Sequence, residues 1–154
     1  MTQRLLFVLA LATAGIAAAN DATTRLLRYP DLYGDRLVFT YAGDLWSVPS
    51  SGGDARRLTA HDGYEYLPRT SPDGKWIAFS AEYEGNMDVY LVPSGGGEPR
   101  RLTWHPQADR VVTWTPGGRI VFRSKRSSFV QSYDRLYTIG IDGGAAEELP
   151  LPMA

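Results

Sequence analysis

The chain has 154 residues, the size of one ordinary domain, and its 44% hydrophobic and 21% charged residues are those of a globular protein. Sixteen Lys and Arg stand against 17 Asp and Glu, a net charge of −1 that leaves no basic surplus for a phosphate backbone and argues against nucleic acid as a partner. Cysteine is absent, which excludes disulfides, thiolate nucleophiles, Cys-ligated zinc and a lipid anchor on a cysteine after a leader.

The chain opens with Arg4, a run at residues 5–14 that is apolar but for Thr13, and then Gly15 and the small residues Ala17, Ala18 and Ala19. This order is that of a secretory signal peptide over residues 1–19, cut after Ala19 ahead of the polar Asn20 and Asp21. An uncleaved anchor is the alternative, but the Ala-rich stretch barely spans a hydrocarbon core. The expectation is a secreted or periplasmic protein, residues 20–154, with no membrane span after cleavage.

From there the chain repeats. A first unit, about residues 25–60, reads as strands at 26–29, 36–41, 44–48 and 56–59. A second, about 61–105, has them at 64–68, 76–81, 88–92 and 100–103, and a third, about 106–152, at 110–114, 119–123, 135–141 and 147–149. The runs are rich in Val, Ile, Phe, Tyr and Trp and are bounded by Gly and Pro turns, as strands are. Arg56-Arg57-Leu58-Thr59 recurs 44 residues later as Arg100-Arg101-Leu102-Thr103, and His61 recurs as His105 at the same spacing. Leu45-Trp46 returns as Val89-Tyr90 and again as Leu136-Tyr137. Turns at Tyr33-Gly34-Asp35, Ser71-Pro72-Asp73-Gly74 and Thr115-Pro116-Gly117-Gly118 precede the second strands, and Ser51-Gly52-Gly53, Gly95-Gly96-Gly97 and Asp142-Gly143-Gly144 follow the third. Four strands every 44 residues or so is the period of propeller blades. The predicted fold is therefore all-β, three β-propeller blades of four antiparallel strands, about half of a six-bladed ring. A β-sandwich is the alternative, and the repeated Arg-Arg-Leu-Thr argues against it.

The ordered set of Arg25-Leu26-Leu27-Arg28-Tyr29-Pro30, Gly34-Asp35-Arg36-Leu37-Val38-Phe39, Gly43-Asp44-Leu45-Trp46-Ser47-Val48-Pro49 and Arg56-Arg57-Leu58-Thr59 resembles the amino-terminal propeller of the tricorn protease family. Phe79, Gly85-Asn86, Asp88-Val89-Tyr90, Asp109-Arg110-Val111-Val112, Trp114-Thr115-Pro116 and Leu149-Pro150-Leu151-Pro152 continue the resemblance over nearly all of residues 20–154. The Ser-Pro-Asp-Gly turn and the Arg-Arg-Leu-Thr strand are also those of TolB-like propellers. The resemblance implies a large serine peptidase whose propeller filters and guides unfolded polypeptide to a catalytic region, with a PDZ-like module, farther along the chain. No catalytic residue of that region falls on these positions. A leader sets the chain apart from the intracellular archaeal namesake and implies an extracytoplasmic bacterial relative.

The residues themselves offer little chemistry. His61 and His105 sit at equivalent strand ends and are expected to hold turns rather than act as bases. No Gly-x-Ser-x-Gly elbow occurs, and Ser50, Ser51, Ser71, Ser94, Ser127 and Ser128 cluster in turns. Asp44 and Asp88 are equivalent and read as caps or bonds to neighbouring strands. Glu82 and Glu84 could share a strand face but lack a calcium-loop pattern. Arg123, Lys125 and Arg126 form a basic cluster in a lengthened hairpin that could touch a peptide or a neighbouring domain. Trp46, Trp76, Tyr90, Trp104, Trp114 and Tyr137 are expected between blades. No catalytic, cofactor-binding or metal residue is assigned, and no cofactor is expected.

Propellers usually close with four to eight blades. Three would leave two apolar faces uncovered, so the expected partners are the remaining blades and the catalytic domain of a longer protein. Closure by two copies of this chain is the alternative. Two functions stay open: the guiding propeller of a secreted tricorn-type peptidase that binds peptides or unfolded polypeptides, or a periplasmic TolB-like scaffold without catalysis.

Overall fold

The structure is a computed structural model and describes residues 26–127 and 133–151; the expected signal peptide at residues 1–19 and the tip of the lengthened hairpin lie outside them. Within the described residues the strands form three four-stranded antiparallel sheets, each a meander in chain order. The first blade holds β1 (Arg28–Tyr33), β2 (Arg36–Tyr41), β3 (Asp44–Pro49) and β4 (Arg56–Arg57). The second holds β5 (Glu65–Thr70), β6 (Trp76–Ala81), β7 (Asp88–Pro93) and β8 (Arg100–Arg101). The third holds β9 (Asp109–Trp114), β10 (Ile120–Ser124), β11 (Arg135–Gly140) and β12 (Gly143–Glu148). β1 packs beside β5 and β5 beside β9, so the first strand of each blade lies on the inner side of the array. The fold is that of propeller blades.

Local chemistry accounts for the hairpins. Ala42 and Gly43 join β2 to β3 with φ of 52° and 96°, the left-handed pair that matches strand twist in a two-residue turn. At the Ser71-Pro72-Asp73-Gly74 turn, the Gly74 N–H donates to Ser71 O and the Trp76 N–H to Ser71 Oγ.

The boundaries of five strands differ clearly from the sequence expectation. β1 and β5 do not stop at proline but run through Pro30 and Pro68. Each is an inner edge strand, where a missing N–H costs no ladder bond, and each absorbs its proline in a bulge. The residue before each proline, Tyr29 at φ 52° and Leu67 at φ 54°, turns left-handed. β4 and β8 shorten to two residues, because Thr59 and Thr103 leave the ladder to bond the Leu45 and Val89 amides through their hydroxyls. In the third blade the turn falls on Ile141 and Asp142, so Gly143 and Gly144 belong to β12.

Two apolar seams hold the blades together. The alternation of β6 and β7 sends Ile77, Phe79, Tyr90 and Val92 against Val38, Leu45 and Leu58 of the first blade. The opposite face sends Ala78, Val89, Leu91 and Leu102 against Val111, Trp114, Ile120, Phe122, Tyr137 and Ile139 of the third. The second blade is thus buried on both faces, and its third strand reads as a continuous apolar run, Val89 to Val92.

Candidate functional site

The repeated acids and arginines tie each blade to itself. Asp44 pairs with Arg57 at 2.7 Å and Asp88 with Arg101 at 2.6 Å, each across the third and fourth strands. Asp88 is buried, which raises its carboxyl pKa, while Arg101 and the Thr103 hydroxyl oppose the rise. In the third blade the same register positions are occupied by Arg135 and Glu148, paired at 2.6 Å with the charges exchanged.

A second set of acids crosses the seams. Glu65 and Asp109, 44 residues apart, are both fully buried at the start of an inner strand. Glu65 Oε2 accepts the Leu45 N–H of the first blade at 2.8 Å and the Thr59 hydroxyl, and Oε1 accepts the Tyr83 hydroxyl. Burial pushes the Glu65 carboxyl above its usual 4.5, against the pull of these hydrogen bonds. Burial beside Glu65 likewise pushes the Tyr83 hydroxyl well above its ordinary range. Asp109 accepts Arg126 at 2.5 Å, but its other oxygen has no partner. One methylene shorter than Glu65, it does not bridge to the Val89 amide, which Thr103 alone satisfies.

On the inner rim between the first two blades lies a cleft of about 450 Å³. Tyr29, Tyr64 and Tyr66 line it, with Tyr29 and Tyr66 edge to face at 6.0 Å and Tyr64 and Tyr66 tilted at 6.4 Å. Leu26, Arg28, Thr40, Ala42, Gly43 and Glu65 complete the wall. The Thr40 hydroxyl is buried without a hydrogen-bond partner. This arrangement offers aromatic faces and hydroxyls, which suits binding; it does not place a nucleophile against a base.

The residues singled out from the sequence fall as follows. His61 stacks on Tyr83 at 3.6 Å and its Nδ1 accepts the Gly63 N–H; His105 Nδ1 accepts the Gln107 N–H. Both hold turns. Glu82 and Glu84 lie beyond the end of β6 and share no strand face, and Glu84 turns to Arg101. The basic cluster is not a free patch. Arg126 folds inward over Phe122 and Tyr137 to reach Asp109, and Arg123 pairs with Asp134 at 2.6 Å. Tyr90, Trp114 and Tyr137 fill the seams and Trp76 packs against one. Trp46 lies on the outer face of the first blade, and Trp104 is 67% exposed under Arg101, because the chain leaves the ladder one residue earlier. Glu65, Asp109 and the tyrosines were missed, although the 44-residue spacing of the two acids was there to be read. Among the described residues no group of three His, Asp or Glu side chains could hold a metal ion, and no helix is long and apolar enough to cross a membrane.

Residues 24–154 match the family described as the tricorn protease N-terminal beta propeller domain. Tricorn protease homolog 1 of Streptomyces coelicolor is 35% identical over 138 residues, which cover 88% of this chain and 13% of the relative. The crystal structure of the tricorn protease superposes with a TM-score of 0.71 at 26% identity, over 80% of this chain and 13% of that one. A TolB structure from Agrobacterium tumefaciens superposes with a TM-score of 0.68 at 23% identity, over 82% of this chain and 50% of that one, and shares the fold. The chain thus spans about an eighth of the length of the Streptomyces relative.

Proposed function

Because the chain belongs to the tricorn protease N-terminal beta propeller domain family, we propose that it forms the first blades of an exported tricorn-type serine peptidase. In this reading the blades guide unfolded polypeptide towards catalysis carried out by another part of the protein. The family match over residues 24–154 carries the reading, because it runs through all three blades and both seams. The cleft on the inner rim supports it: aromatic faces and hydroxyls at that position suit an extended chain more than a folded surface. Export rests on the leader, and the chemistry of the rest of the ring rests on the family.

Retention assays on the purified protein test the proposal. Reduced, carboxymethylated lactalbumin should be retained, folded lactalbumin should pass, and neither should be cleaved. Preference for a folded protein would favour the scaffold role of a TolB-like propeller instead. Casein cleavage lost in His61→Ala or His105→Ala would overturn the division of labour. Export is checked separately, by finding Asn20 as the first residue of protein recovered from the periplasm or medium.

A further inference from the structure

The two seams are built from equivalent residues, yet one of them is left incomplete. At the second seam, Ser80 Oγ accepts the Val111 N–H across the blades at 2.8 Å. The equivalent residues at the first seam are Thr40 and Leu67, by register with the paired strands and by the 44-residue repeat. That bond is not made there. Leu67 is left-handed ahead of Pro68, within the bulge of β5, and the Thr40 hydroxyl remains buried and unpartnered. A buried hydroxyl without a partner is costly and invites an explanation beyond packing.

Strain gathers at the same place. Among the described residues, the non-glycine residues with positive φ are Tyr29, Ala42 and Leu67. The first two line the cleft and the third adjoins Tyr66. Left-handed non-glycine residues persist where the surroundings impose them, and they cluster at binding sites. Here the bulges in β1 and β5 turn Tyr29 and Tyr66 into contact, with Tyr64 64% exposed beside them. The hydroxyls of these three tyrosines make no hydrogen bond to another described residue.

From this geometry we infer that the cleft is a subsite for one large apolar side chain of an extended polypeptide, held among Tyr29, Tyr64 and Tyr66. The inference rests on the proposed function and names the class of residue the inner rim selects. The volume lies at the small end of ligand pockets, suited to a short segment rather than a domain. Offset and edge-to-face packing against three rings favours Phe or Tyr, and the apolar ring faces also accept Leu by burial alone. Arg28 in the wall disfavours Lys and Arg. Glu65 also borders the cleft, but its oxygens are taken up by Leu45, Thr59 and Tyr83, so it offers a ligand no free carboxylate.

The test uses the whole chain and three blocked, fluorescein-labelled peptides, Ala-Ala-X-Ala-Ala with X as Phe, Ser or Lys, read by anisotropy. The Phe peptide should bind at least fivefold more tightly than the Ser and Lys peptides. Tyr64→Ser and Tyr66→Ser should each weaken it at least threefold, whereas Trp104→Ser, at an exposed ring away from the cleft, should leave it unchanged. Thr40→Val separates folding from binding: it should raise the thermal midpoint, since it removes the unpartnered buried hydroxyl, and leave binding of the Phe peptide within twofold of the parent. Equal binding of Phe and Ser peptides, or tyrosine variants that bind like the parent protein while lactalbumin is still retained, would overturn the subsite and leave the broader function standing. Loss of lactalbumin retention in the parent protein would remove both. Tyrosine-dependent binding of maltohexaose in place of the peptides would also overturn it.

Discussion

Glu65 shows how one side chain can join two blades and make their union depend on pH. Its carboxyl lies above 4.5 in the folded protein because burial outweighs three hydrogen bonds that favour the anion. The stabilisation that comes with the raised value is fully present below about 4.5 and is lost as pH rises through the folded pKa. Thermal midpoints measured from pH 4.5 upward should therefore fall more steeply in the parent protein than in Glu65→Gln. The glutamine carries no titrating proton, yet its oxygen can accept Leu45 N–H and its amide can donate to the Tyr83 oxygen. Glu65→Ala is expected to cost more, about 1–3 kcal/mol for each buried group left without a partner. A second contrast at this scale concerns the equivalent acids Asp88 and Asp44. Arg101 is largely buried against Asp88, whereas Arg57 is half exposed beside Asp44. Urea denaturation should give about 3 kcal/mol for Asp88→Ala and about 1 kcal/mol or less for Asp44→Ala.

Each element is an almost self-sufficient hairpin whose cost of change is set by the neighbouring blade. Gly52 and Gly96 occupy the same turn of successive blades with φ of 90° and 84°. Around Gly52 a Cβ would meet nothing within 4 Å, while at Gly96 it would lie 2.7 Å from Leu58 O of the preceding blade. Gly52→Ala should therefore cost about 1–2 kcal/mol, the left-handed strain alone. Gly96→Ala should cost about 1–3 kcal/mol more, since backbone must shift to admit the methyl. Equal values in chemical denaturation would mean that the seam yields more easily than its contacts imply. The arginines before Leu58 and Leu102 work at this scale too. Arg56 reaches Gly95 O and Arg100 reaches Ile141 O, each spanning to the turn of the next blade. The third blade has Glu147 at that position, held instead by Arg119 of its own sheet at 3.1 Å.

At the scale of the molecule, burial follows position in the array rather than residue type. Val48 and Val92 are equivalent valines in the third strands of successive blades. Val92 is fully buried between blades, whereas Val48 faces outward from the first and is half-buried. Circular dichroism should show Val92→Lys largely unfolded, as an unpaired buried charge requires, with Val48→Lys still folded and its midpoint within a few degrees of the parent. If both variants unfolded alike, the outer face of the first blade would have to be as closed as the seam.

Much of this was legible in the amino-acid order. The second and third strands, the turn at Ala42 and Gly43 and the blade period followed from alternation, turn chemistry and repetition. Those signals are local: a period of two, a residue that tolerates positive φ, a motif that returns after 44 residues. What tertiary structure alone decided lies at the seams. There Ser80 is satisfied and Thr40 is not, Glu65 bridges and Asp109 falls one methylene short, and Arg126 turns inward instead of offering charge to a partner. The repeat makes such pairs look interchangeable, but their partners come from another blade, and a bulge of one residue changes which groups meet. The family and the blades were therefore in the sequence; the tyrosine cleft came from the way two of those blades pack.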